Sequence, residues 1–171
     1  MRILDGGLEN WLANGYQTLT GPGNIAVGSK FEVTPGQLPT ATIEDVREHD
    51  GVLIDTRSSN RFAGRRENLD LKAGHIPGAV NVPERLFHND GVRTLKSPDE
   101  IREVLAAAGL TQENTKDAII YSGSGNHSAL ALAAMENAGF TGLRHYIGGW
   151  SQWSADPTNP VERGDRTSVN D

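Results

Sequence analysis

The sequence contains no cysteine among its 171 residues, and this absence excludes two kinds of stabilising chemistry. A disulfide framework and a thiolate metal site both require cysteine, so neither can operate in this chain. Long apolar runs are also absent, since no stretch approaches the roughly eighteen residues that a membrane-spanning helix needs. The N-terminus lacks the basic, apolar and small-residue order of a signal peptide. We therefore expect no membrane partner, no bound metal and, by default, a cytoplasmic location.

Positive charge is scarce as well. The chain has 16 lysine and arginine residues against 22 aspartate and glutamate residues, which gives a formal net charge of −6. A protein with this balance has no overall basic field to attract nucleic acid, so we expect no nucleic-acid partner. With 36% hydrophobic residues, the chain is long enough to form one α/β domain and its core, with some residues to spare.

Two distant segments carry the same short pattern. The N-terminal LDGGLENW and the C-terminal YIGGWSQW each place a tryptophan four residues after a pair of glycines, at Trp11 and Trp153. Repetition within one chain is typical of duplicated structural units. We interpret the N-terminal piece as the last strand, turn and helix of an upstream copy of the C-terminal domain.

A glycine-rich segment separates this piece from the remainder of the chain. Residues 21–30, GPGNIAVGSK, have no sustained periodicity and are predicted to form a linker. We accordingly predict that residues 1–20 are the tail of an upstream domain, that residues 31–165 form one domain and that residues 166–171 are a C-terminal tail.

Strand and helix signals alternate through the predicted domain. Thr42 and Ser97 each stand three residues before an acid, at Asp45 and Glu100, which is the spacing of a helix capping box. The predicted strands are 52–55, 79–83, 118–121 and 143–146, and the predicted helices are 42–48, 97–109, 128–138 and 150–154. This alternation predicts an α/β fold with a mainly parallel sheet and helices on both faces.

The most informative loop follows the apolar run AIIY and reads SGSGNH, residues 122–127. A strand, a tight glycine-rich loop and a helix start form an anion-binding cradle in parallel α/β folds, because main-chain N–H groups turn toward the ligand. Gly123 and Gly125 permit the positive φ angles that such a turn can require. A thiolate at position 122 would be strongly stabilised there, whereas the hydroxyl of Ser122 would gain little. A tight turn without a ligand stays open as the alternative.

Four motifs together resemble the rhodanese-like sulfurtransferase family, and within it the second, catalytic domain of tandem thiosulfate and 3-mercaptopyruvate sulfurtransferases. They are LIDTRSSNRFAG at 53–64, AGHIPGAVNVP at 73–83, the SGSGNH loop and YIGGWSQW at 146–153. The resemblance implies the rhodanese-like fold. It also implies that the N-terminal segment is the end of a catalytically silent first domain.

The resemblance implies a reaction and a set of site residues. Family members take a sulfane sulfur from a small anionic donor, thiosulfate or 3-mercaptopyruvate, hold it as a cysteine persulfide and pass it to a thiol or to cyanide, without a cofactor. Carried over by position, the cysteine site is Ser122, and Ser124 matches a loop serine proposed to help protonation. The implied substrate-binding residues are Arg61, Gly123, Gly125, Asn126 and His127.

Two functional hypotheses remain. The first is a sulfurtransferase domain in which serine has replaced the nucleophilic cysteine, by design or by natural loss, so that this version is inactive. The second is a non-catalytic rhodanese-like module that binds anions or a partner protein. A related phosphatase is disfavoured because position 128 holds serine instead of arginine. A serine hydrolase is disfavoured because the Gly-x-Ser-x-Gly pattern is absent.

Charged residues near the first motif suggest a cationic rim for an anionic substrate. The interval from Asp55 to His75 holds five basic and three acidic side chains, namely Arg57, Arg61, Arg65, Arg66 and Lys72 against Asp55, Glu67 and Asp70. We interpret Asp55 and Arg57 as an ion pair that ties loops together and His75 as a structural hydrogen-bonding residue. His88 is interpreted as a surface residue.

Overall fold

The computed structural model describes residues 3–23, 28, 32, 34, 36–91 and 93–165. The strands are β1 (Leu53–Asp55), β2 (Val80–Asn81), β3 (Ile119–Tyr121) and β4 (Arg144–Tyr146). The helices are α1 (Gly7–Ala13), α2 (Ile43–Glu48), α3 (Ser59–Phe62), α4 (Pro98–Ala107), α5 (Asn126–Asn137) and α6 (Gly149–Ala155), with a 3₁₀ helix at Glu84–Phe87.

The four strands form one parallel sheet in the order β2-β1-β3-β4. Ile54 in β1 pairs with Val80 in β2 and with Ile120 in β3, and Ile120 pairs with His145 in β4. The connection after β1 leads to β2 on one side, and the connection after β3 leads to β4 on the other side. The two connections therefore diverge between the neighbouring strands β1 and β3. Loops at the carboxyl ends of such strands leave a crevice at this point, and the SGSGNH loop follows β3.

Each face of the sheet carries its own core. Ile54 and Ile120 pack on one face with residues of α4, α5 and the 3₁₀ helix, whereas Leu53 and Ile119 pack on the other with residues of α2, α3 and α6. Strands buried on both faces explain the continuous apolar runs in the sequence. The predicted α/β class, with a parallel sheet and helices on both faces, is confirmed.

Local sequence signals set most helix boundaries. Both predicted capping boxes are present, at Thr42 with Asp45 before α2 and at Ser97 with Glu100 before α4. The start of α5 differs from the prediction, because the helix begins at Asn126 and not at Ser128. Gly125 has a φ of 85° and ends the loop, so the next two residues already belong to the first helical turn.

The N-terminal segment contains the predicted helix α1, but described residues 3–6 form no strand. No residue of α1 is buried, and the segment exposes the large apolar side chains Ile3, Leu4, Leu8, Trp11, Leu12, Tyr16 and Leu19. Its contacts with the domain include a hydrogen bond from Leu95 N–H to Asp5 (2.8 Å) and an ion pair between Arg93 and Glu9 (3.7 Å).

The predicted linker lies mostly outside the described residues, and the predicted tail 166–171 lies wholly outside them. Within the part of the chain that the structure describes, no helix has both the length and the apolar character needed to cross a bilayer.

Candidate active site

The SGSGNH loop lies at the carboxyl edge of the sheet and forms one wall of a cavity of about 350 Å³. Four of the residues predicted for the site, Gly123, Ser124, Asn126 and His127, line this cavity together with Arg61. Other lining residues are Thr56, Arg57, Ser58, Leu69, Asp70, Pro83, Glu84, Arg85 and Ser151. The structure therefore brings the loop and Arg61 into one site, although more than fifty residues separate them in sequence.

The start of α6 orients the first two peptide groups of the loop. Trp150 N–H donates to the Ser122 carbonyl (2.8 Å), and Ser151 N–H donates to the Gly123 carbonyl (2.9 Å). A trans peptide group points its N–H opposite to its C=O. Because both carbonyls face α6, the N–H groups of Gly123 and Ser124 face away from it, toward the interior of the loop.

Two glycines allow this close packing. A side chain at Gly149, whose φ is +55°, would place its Cβ 2.3 Å from the Ser122 carbonyl oxygen. A side chain at Gly125, whose φ is +85°, would place its Cβ 2.9 Å from the carbonyl oxygen of Ile147. Of the two loop glycines predicted to permit positive φ, only Gly125 has it. A Cβ at Gly123 would lie in ordinary contact with the Arg61 guanidinium, 3.4 Å from its Nη1.

The loop presents a row of uncommitted hydrogen-bond donors. All residues from 123 to 128 are described, and none of their main-chain N–H groups donates a hydrogen bond to another described residue. The first turn of α5 contributes three of these groups and the positive end of the dipole of a twelve-residue helix. This arrangement matches the requirements of an anion-binding cradle.

The side chain of Ser122 does not reach the cavity. Ser122 is fully buried at the floor of the loop, and its Oγ lies 3.1 Å from the Oγ of Ser128 in the first turn of α5. Ser124 is exposed and lies on the cavity wall. A reactive atom at position 122 would thus sit behind the loop glycine, next to the donors of the cradle.

Arg61 lies in the cavity, but two carboxylates hold it. Its Nη2 donates to Glu67 (2.9 Å) and to Asp70 (2.6 Å), and both acidic side chains are almost fully buried. Its Nη1 makes no hydrogen bond among the described residues, and it is the atom nearest to Gly123. Burial alone would raise the pKa of Glu67, but hydrogen bonds from Leu69 N–H and Arg61 outweigh it and lower the pKa.

Arg57 forms the predicted ion pair with Asp55, at 2.7 Å, and both side chains are buried. Its guanidinium also stacks over the Trp150 ring at 4.6 Å and donates to the Gly74 carbonyl. Burial alone would lower the pKa of Arg57, but the Asp55 charge reverses the effect and raises it. The pair fixes the loop after β1 against α6.

The prediction of a cationic rim is wrong for most of the basic residues that it included. Arg57 and Arg61 are neutralised by buried carboxylates, and Arg65 pairs with Asp165 at the surface. Lys72 donates to the carbonyls of Asp156 and Asn159, so it holds the chain after α6. Arg57, Arg61, Arg65 and Lys72 thus serve separate structural contacts, with carboxylates or with main-chain carbonyls.

A second hydrogen-bonded group borders the cavity around Glu84. This carboxylate contacts His127 Nδ1 (3.2 Å) and also forms a hydrogen bond with His88 Nε2. The His88 side chain is 15% exposed, so the interpretation of His88 as a plain surface residue is wrong. His127 is held at the cavity entrance by Glu84 and remains mostly exposed.

His75 has the structural position that the sequence suggested. Its Nδ1 lies 2.8 Å from the Phe62 carbonyl oxygen, and its ring stacks on Phe62 with centroids 3.6 Å apart. Its main chain pairs in both directions with Glu162 after α6. Burial lowers the pKa of His75, so the neutral ring is favoured in the folded protein.

Several residues at the site escaped prediction from sequence: Glu67, Asp70, Glu84, Ser128 and His145. Glu67 and Asp70 carried a signal, since they stand six and nine residues after Arg61 in the same loop. Glu84 and His145 carried no signal in the sequence. Their contacts with His127 and Ser128 depend on how elements far apart in the sequence pack together.

The sequence model described as "Rhodanese-like domain" matches residues 39–156. SseB, a putative thiosulfate sulfurtransferase of Mycobacterium tuberculosis, is 36% identical over 170 residues, which are 96% of this chain and 58% of that protein. A probable 3-mercaptopyruvate sulfurtransferase of Pseudomonas aeruginosa is 34% identical over 167 residues, 95% of this chain and 58% of that protein. The chain thus spans less than two thirds of the length of these relatives.

Solved structures have the same fold. YnjE superimposes with a TM-score of 0.83 at 27% identity, covering 96% of this chain and 43% of that one. A variant of EanB with serine in place of a cysteine, in complex with hercynine, superimposes with a TM-score of 0.82 at 25% identity, covering 95% and 41%.

Proposed function

The chain belongs to the rhodanese-like domain family, and on that premise we propose that its loop is the sulfur-carrying site of a sulfurtransferase with Ser122 at the position of the sulfur-bearing cysteine. The observation that carries the proposal is the row of uncommitted N–H groups from 123 to 128 around that position. Such donors stabilise a thiolate and the negative charge of a sulfur donor. The names of relatives from two bacteria support the same reaction class.

The reaction needs a thiolate at position 122. That thiolate attacks the outer sulfur of thiosulfate or 3-mercaptopyruvate, a bond to that sulfur forms, and sulfite or pyruvate enolate leaves with the electron pair. A thiolate or cyanide acceptor then attacks the outer sulfur of the persulfide, the sulfur–sulfur bond breaks, and the thiolate at position 122 is restored. No oxidant or reductant is consumed, which agrees with an enzyme that uses no cofactor.

Serine at this position stops the first step. A hydroxyl is a far weaker acid than a thiol, so the Ser122 side chain stays protonated beside the same donors. We therefore propose that the chain with Ser122 is inactive and that the rest of the site is intact.

Arg61 is proposed to bind the anionic group of the donor through Nη1. This nitrogen is uncommitted and lies beside Gly123, while Nη2 is fixed by Glu67 and Asp70. The two carboxylates hold the guanidinium plane in place and reduce its net charge. They orient one donor atom toward the loop instead of presenting a freely moving cation. Gly123, Gly125, Asn126 and His127 contribute the N–H cradle, and Ser124 a hydroxyl at the wall.

The experiment restores the nucleophile. We expect S122C to transfer sulfur from thiosulfate or 3-mercaptopyruvate to cyanide or a thiol, with the Ser122 chain as the inactive control. In the S122C background, R61Q should lower kcat/KM by about tenfold or more, because it removes a charged hydrogen-bond donor. The matched control R65Q removes an exposed arginine outside the cavity and should leave kcat/KM unchanged. A folded S122C that transfers no sulfur from either donor contradicts the proposal.

A second candidate function is a non-catalytic anion-binding module, favoured by Ser122 itself. The uncommitted N–H groups can hold an anion whether or not position 122 is reactive. Calorimetric titration of the Ser122 chain with thiosulfate measures this directly. Binding by both chains with turnover by S122C supports the transferase, whereas binding without turnover by S122C supports the module.

We also propose an upstream rhodanese-like domain as the partner of the N-terminal segment, in a cytoplasmic protein. The support is the exposed apolar side chains around α1 and the greater length of the relatives. In a chain that carries such a domain, Trp11 fluorescence should be less accessible to a soluble quencher than in the present chain. Equal quenching in both chains would contradict this partner.

A further inference from the structure

A short chain of hydrogen bonds runs behind the loop. Ser122 Oγ lies 3.1 Å from Ser128 Oγ, and Ser128 Oγ lies 2.8 Å from His145 Nε2. The three residues come from the end of β3, the first turn of α5 and β4. Both serines are fully buried, so water does not compete for their hydroxyl groups. The function proposed above uses position 122 and the main-chain N–H of Ser128, but assigns no role to the side chains of Ser128 and His145.

The direction of the hydrogen bonds follows from counting protons. A hydroxyl has one proton and can accept two hydrogen bonds. Ser128 Oγ has three neighbours, and with serine at position 122 it donates its proton to the Gly125 carbonyl oxygen at 3.0 Å. That carbonyl already accepts the N–H of Ala129 at 2.9 Å. An anion at position 122 is a stronger acceptor than this neutral carbonyl, so the Ser128 proton turns to the anion while His145 Nε2–H donates to the Ser128 oxygen.

His145 has the properties of such a donor. Burial lowers its pKa against the opposing effect of the Gly125 carbonyl, so the ring is neutral near pH 7 and carries one N–H. Nε2 is the ring nitrogen with hydrogen-bonding partners among the described residues. We assign the N–H to Nε2, the nitrogen that faces Ser128, and in this tautomer the hydrogen bond runs from His145 to Ser128.

We propose that Ser128, oriented by His145, donates its hydroxyl proton in a hydrogen bond to the anion at position 122. The inference rests on the function proposed above, because it concerns the thiolate of a chain with cysteine at that position. No proton is transferred: His145 stays neutral and acts as a positioning residue, while Ser128 touches the reacting atom. The N–H cradle approaches position 122 through the loop, and Ser128 supplies a donor from behind it.

The absence of native cysteine makes the test direct, because S122C has a single thiol. Thiolate absorbance in the ultraviolet, measured against pH, gives the pKa of that thiol without any sulfur donor. Adding S128A should raise this pKa by about one unit or more, which is the effect of removing a hydrogen bond to a charged group. An unchanged pKa in a folded S122C/S128A protein overturns the proposal.

Two substitutions at His145 separate an N–H donor from a proton acceptor. In the S122C background, H145Q retains an N–H at about the same place and should leave the thiol pKa near that of S122C. H145L removes the N–H and should raise the pKa, by less than S128A does, because the Ser128 hydroxyl remains. Equal rises in H145Q and H145L would contradict the positioning role. These variants also decide the matter if S128A fails to fold.

The thiol pKa and the sulfur-transfer activity test the two proposals separately. A low thiol pKa that depends on Ser128, in a protein that transfers no sulfur, would support this inference and contradict the proposed function. Sulfur transfer with a thiol pKa indifferent to Ser128 and His145 would do the reverse.

Discussion

Helices α1 and α6 begin with the same pattern and share local geometry. Gly7 and Gly149, the first residue of each helix, have φ angles of 60° and 55°. The indole of Trp11 donates to the Gln17 carbonyl (3.1 Å), and that of Trp153 donates to the Pro160 carbonyl (2.9 Å). The repeat in the sequence is therefore a repeat in conformation at the first helical residue, but not at the glycine before it, because Gly6 has a φ of 75° and Gly148 a φ of −60°.

The two helices differ in what they contact. A side chain at Gly149 would collide with the carbonyls of Ser122 and Gly123, whereas one at Gly7 would meet no atom within 4 Å. Trp153 is 3% exposed and Trp11 is 36% exposed. The comparison teaches that the pattern sets the first helical residue and the tryptophan hydrogen bond, while packing against the domain supplies the burial. Gly149 packs against the candidate active-site loop, and the start of α6 turns the carbonyls of that loop away from the cavity.

The tryptophans should show the largest difference. Trp153→Ala removes a buried indole from the core and should lower the free energy of unfolding by about 3–5 kcal/mol. Trp11→Ala removes a partly exposed indole and should lower it by less than about 1 kcal/mol. Urea unfolding of the two variants measures both values. Similar losses would mean that α1 is packed as firmly as α6.

The glycines should show the next largest difference. Gly7→Ala places a side chain at positive φ in open space and should cost about 1 kcal/mol of backbone strain. Gly149→Ala adds a collision with two carbonyl oxygens and should cost about 2–4 kcal/mol. Thermal unfolding of the pair tests this. If Gly149→Ala were no worse than Gly7→Ala, the close packing of α6 on the loop would be disproved.

Acid should lower the stability of the folded domain through His75 and His145, with a smaller effect, whereas α1 contains no histidine. Burial lowers the pKa of His75 and His145, so the unfolded chain binds protons near its ordinary histidine pKa of about 6.5 while the folded chain still resists them. The contribution of the two neutral rings to the free energy of unfolding is thus complete above that pH and falls as the pH drops below it. Resonances of His75 and His145 that titrate at or above about 6.5 would contradict this account.

Much of the fold was predictable because local signals and periodicity specify it. The capping boxes at Thr42 and Ser97 begin α2 and α4, and the apolar runs that became β1 and β3 lie at the centre of the sheet. The position of the loop after β3 followed from the same reasoning.

The electrostatic structure of the site was not predictable in the same way. The excess of basic residues near Arg61 suggested a cationic rim, yet Glu67 and Asp70 pair with that arginine inside the cavity. The contact of Ser128 with His145 depends on the register of β4 beside β3, which no local pattern encodes. Long-range pairing decided which charges and hydroxyl groups reach the cavity.

The intact mass of S122C after incubation with thiosulfate tests the central claim most directly. That claim is that the loop held by α6 is a sulfur-carrying site that lacks only its sulfur atom. The account predicts that S122C gains the mass of one sulfur atom, that cyanide removes it, and that the Ser122 chain treated in parallel gains nothing. A folded S122C whose mass stays unchanged with thiosulfate and also with 3-mercaptopyruvate would contradict the claim.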